Sequence, residues 1–157
     1  VLRKKLVDEG MFPMSELEDL KSVATLVDYV YKRKIRNQIV QPTFLYNYPT
    51  YMVPLARHNS EDDRRLDMYQ LLVAGAELSK GYSELVNPIQ QIHAFEEQAK
   101  NIAGGDEEAF NPDNDFVRAM EHGFPPISGV GVGIDRLASI VFDQPTLRDV
   151  ILFPIMK

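Results

Sequence analysis

The stretch Gly129-Val130-Gly131-Val132-Gly133-Ile134-Asp135-Arg136 alternates three glycines with three branched apolar residues, then ends on an acid and an arginine. Side chains of an extended strand point to alternate faces. The pattern therefore predicts a strand with a bare face at Gly129, Gly131 and Gly133. Its other face, Val130, Val132 and Ile134, is expected to pack into a core. Glycine inside a strand weakens it and often marks the close approach of a ligand or of another backbone. Two readings follow. The bare face is a floor for a ligand with Arg136 as the cation beside it, or another segment crosses the strand closely and Arg136 is a surface residue. The spacing is not a dinucleotide fingerprint, since the glycines lie two and two apart and no helix is expected to open at the third. Nor does the Gly-Lys-Ser/Thr of a P-loop follow. An arginine beside a glycine floor can still hold a phosphate or stack on an adenine.

Around this stretch lies a chain of 157 residues, 45% apolar and 25% charged, proportions that suit one soluble globular domain. No apolar run approaches the ~18 residues of a membrane span, and the N-terminus does not read as a signal peptide. A cytoplasmic location is the expectation. The formal net charge of −6 argues against a broad positive field gripping a phosphate backbone. With no cysteine there is no disulfide or thiolate-zinc site, and the three histidines, His58, His93 and His122, lack metal-ligand spacing. Serine or cysteine nucleophile chemistry has no support.

Residues 1–38 read as a helical lead-in. A turn is expected at Glu9-Gly10 and a break at Pro13, then one amphipathic helix from Ser15 to about Ile39, with Ser15 and Glu18 as a capping box. The basic residues 32–36 suit the negative pole of its dipole, or a solvated face. Residues 39–157 mix strands and helices. Strands are predicted at Ile39–Leu45, Leu66–Val73 and Ala76–Leu85, the last two joined by a tight turn at Ala74-Gly75. His58–Arg65 is a polar loop and Asp106–Pro112 an acidic one. A helix at Ile89–Ile102 should turn Ile92, Phe95 and Ala99 inward, and Gly123 should stop another at Asp113–His122. A buried helix over Leu137–Phe142, a short helix opened by Pro145-Thr146 and a buried ending Val150–Pro154 complete the chain. The class that fits is α+β, an antiparallel sheet flanked by helices.

A second constellation is Gly75-Ala-Glu-Leu-Ser-Lys-Gly-Tyr-Ser-Glu84. Strict alternation puts Leu78, Lys80, Tyr82 and Glu84 on one face, and Glu77, Ser79 and Ser83 on the other. An aromatic and a carboxylate two apart could bind a cationic side chain, the ring along its stem and Glu84 on its ammonium. The alternative is an exposed hairpin face with ordinary Lys–Glu pairing.

Taken together, Gln41-Pro-Thr-Phe44, Tyr48-Pro49, Pro54-Leu-Ala-Arg57, Glu77, Gly81-Tyr-Ser-Glu-Leu85, Phe95-Glu-Glu-Gln98, Glu121-His-Gly123, the glycine stretch and Leu147–Pro154 resemble the C-terminal part of the catalytic domain of class II lysyl-tRNA synthetases. The resemblance covers roughly residues 39–156, and the lead-in matches more loosely. GVGVGIDR looks like motif 3, and G-Y-S-E-L separates the lysine enzymes from their aspartyl and asparaginyl relatives. The resemblance implies ATP-dependent activation of lysine with magnesium, and transfer of lysine to tRNA by a homodimer. It makes Arg136 the catalytic arginine across the ATP phosphates and Glu77 a magnesium ligand beside ATP. Gly131 and Gly133 become floor near the adenine, Tyr82 lines the lysine side chain, and Glu84 reads its ε-ammonium. Glu77 and Glu84 must then reach one pocket, so a bulge or twist is predicted between Glu77 and Lys80 that shifts the register by one.

Two positions depart from the family pattern. Gln70 stands where a second metal-binding glutamate is usual, which should weaken a magnesium site. Lys80 replaces an asparagine that contacts the substrate; it could meet the amino acid's carboxylate, yet it would repel a lysine ammonium. Motif 1 and motif 2 are expected to precede Val1, and the chain is read as lacking them and an anticodon-binding domain, so the isolated chain is expected to be inactive in pyrophosphate exchange. The rival readings are a lysyltransferase paralogue acting on a protein such as elongation factor P, and a non-catalytic ligand-binding module.

Overall fold

Ala74 and Gly75 both lie in the left-handed region, at φ 50° and 74°. That combination makes the two-residue turn whose twist matches a hairpin's, and it joins β2 (Met68–Val73) to β3 (Ala76–Ser83) as predicted. The amides of Ala74 and Gly75 donate to the carbonyls of Val40 and Ile39, and Arg36 Nε donates to the Gly75 carbonyl at 2.8 Å. The turn's polar groups are thus met by the segment that leads into β1 (Thr43–Tyr46), a strand shorter than the predicted Ile39–Leu45. With β4 (Ser128–Val132), these strands form one antiparallel sheet in the order β1-β2-β3-β4. The fold is α+β, as the mixed pattern required.

The computed structural model describes residues 1–106, 109 and 111–155. The predicted acidic loop 106–112 falls partly on residues 107, 108 and 110, outside that set. The chain divides into two compact units, Val1–Ile35, Tyr51–Leu55 and Leu85–Pro125 in one, and Arg36–Thr50, Ala56–Glu84 and Pro126–Lys157 in the other.

The first unit is helical. Its core is Leu6, Phe12, Leu17 and Leu26, drawn from α1 (Leu2–Asp8), α2 (Met14–Leu17), α3 (Val23–Val30) and the turn at Phe12. The turn at Gly10 (φ 66°) is where it was expected. The single helix predicted from Ser15 to Ile39 is instead broken. The Leu20 carbonyl, which a continuous helix would use internally, accepts from the Arg3 guanidinium. Ser22, in extended backbone, then restarts the chain as the N-cap of α3. Its hydroxyl accepts from the Thr25 amide at 3.1 Å, and Thr25 Oγ1 accepts from the Ser22 amide at 3.2 Å. The capping box is therefore Ser22/Thr25, not Ser15/Glu18. Beyond α3 the chain makes one π-helical turn (Tyr31–Ile35) and a 3-10 turn. There Lys32 pairs with Asp28 at 2.6 Å, and Arg33 lies over the Tyr29 ring.

In the same unit α4 (Pro88–Ala103) is capped by Asn87, whose Oδ1 accepts from the amides of Ile89 and Gln90. The resulting phase buries Gln91 and Phe95, whereas Ile92 and Ala99 face outward, against expectation. Gln91 can be buried because its Nε2 donates to the Pro54 carbonyl at 3.2 Å. Helix α5 (Asn114–Glu121) runs from its Asp113 cap to a stop at Gly123, φ 113°, as predicted.

In the second unit, α6 (Ile134–Val141) opens directly after the third glycine, with Gly133 as its N-cap, so a helix does start there. The expected burial of Val130, Val132 and Ile134 is not found; they are 64%, 48% and 67% exposed. Register puts Val130 and Val132 on one sheet face with Phe44 and Tyr46, which are also exposed. Alternation decides which residues share a face, not whether that face is covered. The same holds for α6, which contains no buried residue, and for Ile151, Leu152 and Phe153, expected inside but exposed. The 3-10 turn Leu147–Asp149 stands where a short helix was predicted, capped by Thr146. Buried residues of this unit include Ala56, Leu66, Met68 and Leu72. No helix among the described residues is long and apolar enough to cross a membrane.

Candidate active site

The register of β2 on β3 slips by one residue. Leu71 faces Ser79 and Leu72 faces Glu77, so Leu78 is the extra residue of a β-bulge, inside the Glu77–Lys80 interval predicted for it. Without it, Glu77 and Lys80 would project from opposite faces. With it, Glu77 joins Lys80 and Tyr82 on the face that carries Gln70 and Leu72. The contact of Gln70 Nε2 with Glu77 Oε2 at 2.7 Å is the direct consequence.

The glycine stretch pins the bulge. The Gly133 amide donates to the Leu78 carbonyl at 2.9 Å, and Arg136 Nη1 donates to the Glu77 carbonyl at 2.6 Å. Both carbonyls stand at the bulge, where a regular ladder is interrupted and backbone groups need partners from elsewhere. Arg136 thereby commits one of its five donors to the scaffold.

On the next strand, Gly129 faces Tyr82 and Gly131 faces Lys80 in register. Glu77, Lys80, Tyr82, Gly131, Gly133 and Arg136 line one hollow of about 490 Å³, together with Leu78, Ser79 and Val132. The three glycines are not equivalent in it. A Cβ on Gly131 would meet nothing nearer than the Lys80 carbonyl at 3.9 Å, so this is open floor. A Cβ on Gly129 would come within 3.1 Å of Glu84 Oε1, and one on Gly133 within 3.3 Å of the Arg136 stem. Gly129, given no role beyond the bare face, is thus the residue that lets the Glu84 carboxylate lie against the floor beside Tyr82. Strict alternation carried that signal.

Glu84 does not line the hollow itself. Burial raises the pKa of its carboxyl, and burial followed by the nearby Glu84 charge raises that of Tyr82. A carboxylate held at some desolvation cost beside an aromatic ring suits an ammonium, whose charge would offset that cost. Tyr48 was missed as a site residue. Its hydroxyl donates to Gln70 Oε1, giving a relay Tyr48–Gln70–Glu77. Twenty-two positions separate Tyr48 from Gln70, so only the tertiary fold brings them together.

The set does not fit a protein-held magnesium. Among the described residues no three His, Cys, Asp or Glu side chains come together as metal ligands. Glu77 contributes one carboxylate, and Gln70 meets it with N–H rather than oxygen. A hard dication requires several oxygen ligands.

The family model for tRNA synthetases class II (D, K and N) matches residues 12–157. The lysine–tRNA ligase of Thermotoga maritima is 44% identical over 157 residues, all of this chain and 30% of that protein. Those of Lysinibacillus sphaericus and Bacillus subtilis are each 41% identical over 142 residues, 90% of this chain and 28% of their own lengths. The chain thus spans under a third of the relatives it matches. With a family model reaching across nearly all of it, the chain belongs to the class II tRNA synthetases of the D, K and N group.

Proposed function

We propose that the complete gene product activates lysine with ATP and transfers it to tRNA, and that this chain supplies the lysine pocket and one wall of the ATP site. One observation carries the reading. The Glu84 carboxylate lies at the glycine floor next to the Tyr82 ring, and that face continues through Lys80 to the hollow bordered by Arg136. The ring would line the methylene stem of a bound lysine and Glu84 would receive its ε-ammonium, as a charge-assisted hydrogen bond. The lysine carboxylate would then point toward Lys80 and Arg136.

In the reaction a carboxylate oxygen of lysine attacks the α-phosphorus of ATP. The bond from that phosphorus to the bridging oxygen breaks, and pyrophosphate leaves with the electron pair. The products are lysyl-adenylate and pyrophosphate; a hydroxyl at the tRNA 3′ end then takes the lysyl group and releases AMP. Fixed positive groups aimed at the charge that develops account for much of the rate in such steps. The free donors of Arg136 are suited to that task at the mouth of the hollow. Magnesium accompanying ATP would be held by the nucleotide's own phosphates, because the described residues offer it no carboxylate cage. A homodimer is the assembly that family membership suggests.

The test is lysine-dependent exchange of pyrophosphate into ATP by the complete gene product, followed by transfer of labelled lysine. Exchange with lysine but not with a shorter ornithine or a neutral norleucine is expected. Exchange with aspartate or asparagine instead, or none with any amino acid, contradicts the reading. Transfer to elongation factor P rather than tRNA would reassign the acceptor and leave the lysine pocket intact.

A further inference from the structure

We propose, on the basis of the lysine-activation reading, that the Lys80 ammonium takes the place of a protein-held divalent cation in this site. Gln70 and Lys80, the two departures from the family pattern, stand directly opposite each other in the β2–β3 ladder. Facing residues of an antiparallel pair share a face with Cβ atoms about 4.5–5.5 Å apart. The bulge brings Glu77 to that same face. These three residues therefore define the place, next to the hollow, where the chain's own side chains could share a cation.

The orientation of the Gln70 amide decides what they offer. An ionised carboxylate only accepts hydrogen bonds, so Gln70 must turn its NH2 group to Glu77 Oε2, at 2.7 Å. That leaves Gln70 Oε1 for the Tyr48 hydroxyl, which donates to it. The one neutral oxygen that could have served as a second metal ligand is thus committed away from Glu77, and N–H groups face the carboxylate. Donors repel a cation. One Glu77 carboxylate remains, against the several oxygens a hard dication takes.

A side-chain cation lines the adjoining hollow instead. Lys80 is half-buried and, among the described residues, has no carboxylate within ion-pairing distance. It lines the hollow together with Arg136, so two basic side chains border it beside the single carboxylate of Glu77. That balance receives an anion, a phosphate or the lysine carboxylate, without a metal bridging to the protein. Glu84 lies four positions further along, about 13 Å in extended backbone, which separates Lys80 from an incoming lysine ammonium.

Two readouts test this. The first uses Mn²⁺ as a paramagnetic stand-in for Mg²⁺ and follows the free-ion electron paramagnetic resonance signal with the chain, without nucleotide. The unsubstituted chain is expected to leave the signal unreduced. The double variant Gln70→Glu, Lys80→Asn restores a second carboxylate and removes the cation, and it should bind Mn²⁺ at least about tenfold more tightly, as expected for a hard dication gaining an oxygen ligand. Gln70→Glu alone should fall between the two, and circular dichroism melts check that each variant folds. Mn²⁺ binding by the unsubstituted chain as tight as by the double variant overturns the proposal.

The second readout is the Mg²⁺ dependence of lysine-dependent pyrophosphate exchange by the complete gene product. Lys80→Asn should raise the half-saturating Mg²⁺ concentration severalfold, and Lys80→Arg should restore it. An unchanged Mg²⁺ requirement in Lys80→Asn overturns the inference while leaving lysine activation standing. No exchange by the unsubstituted product at any Mg²⁺ concentration overturns the lysine-activation reading itself.

Discussion

Replacing Gly131 by alanine separates what the glycine floor does for the fold from what it does for a ligand. Gly131 is not among the positive-φ residues, so alanine can adopt its backbone without strain. The added Cβ would have the Lys80 carbonyl as its nearest neighbour at 3.9 Å, an ordinary van der Waals distance. On the folded side the substitution therefore costs nothing. On the unfolded side it removes backbone freedom, which is worth about 0.4–1 kcal/mol where the native conformation is compatible. Gly131→Ala should thus be as stable as the parent or more so.

The ligand sees the opposite. The methyl group would stand in the hollow where the adenine is proposed to lie. Forcing extra methyl volume into a filled site costs about 1–3 kcal/mol, which corresponds to a loss of about 5- to 150-fold in ATP affinity. Urea unfolding of the chain measures the first quantity; the KM for ATP in pyrophosphate exchange by the complete gene product measures the second. Gly81→Ala is the control. Its Cβ would come 2.7 Å from the Tyr69 ring and 3.0 Å from the Gly129 carbonyl, so it should lose about 1–3 kcal/mol of stability by overpacking. An unchanged KM for ATP in Gly131→Ala would refute the floor as the nucleotide's resting place. A stability loss as large as that of Gly81→Ala would refute its openness.

Glu84→Gln should weaken lysine binding about 10- to 150-fold, the loss of a hydrogen bond to a charged group worth about 1.5–3 kcal/mol. Because burial raises the folded pKa of Glu84 above its ordinary 4.5, the stability this group contributes is present below that value and is lost as pH rises through the folded pKa. The amide escapes that loss, so at about pH 7 the variant should unfold at an equal or higher urea concentration; a clear destabilisation would contradict the sign. Asp62 is the opposite case. Its hydrogen bond to Arg64 holds its carboxyl down to about 2 from 3.8, so its contribution persists above pH 3.8 and is lost as pH falls through about 2. Asp62→Asn should lack that segment of the acid-unfolding profile, and a profile identical to the parent's would remove Asp62 from it. Ser22→Ala should cost about 1 kcal/mol in urea unfolding, with Ser15→Ala near zero; equal costs would restore the capping box to Ser15.

What could be read from the sequence was mostly local. The hairpin at Ala74-Gly75, the short helix beginning next to Asp113 and its stop at Gly123 depend on backbone chemistry within a few residues, and all three stand where they were expected. The bulge at Leu78 was legible for a different reason. Two residues assigned to one pocket had the wrong parity, and one extra residue is the smallest change that reconciles them. The broken lead-in helix was not legible in the local pattern; at the break the Leu20 carbonyl accepts from Arg3, seventeen positions away. The apolar runs at Val130–Ile134 and Ile151–Phe153 misled for a related reason. Periodicity reports that a face can be buried, but burial requires a second surface, and no local pattern specifies one.

The same distinction explains why Gln70 and Lys80 read as two unrelated departures in the sequence. Taken singly, Gln70 is a weakened metal ligand, and Lys80 is a cation that could meet the substrate's carboxylate or repel its ammonium. Register joins them: they face each other across two strands, with Glu77 turned to the same side by the bulge. On the proposal made above, the carboxylate absent at one position and the cation present at the other would act on the same volume of space and in the same electrostatic direction. A decaying site has no reason to place its two changes on one cross-strand pair with matching sign. A site that replaced an exchangeable cation with a covalent one, as proposed here, would change both together. A glutamate kept at position 70 would neutralise Lys80, and an asparagine kept at position 80 would leave the phosphates without their counter-charge. The pairing is therefore the argument for retained chemistry, and it comes from the sheet rather than from either residue.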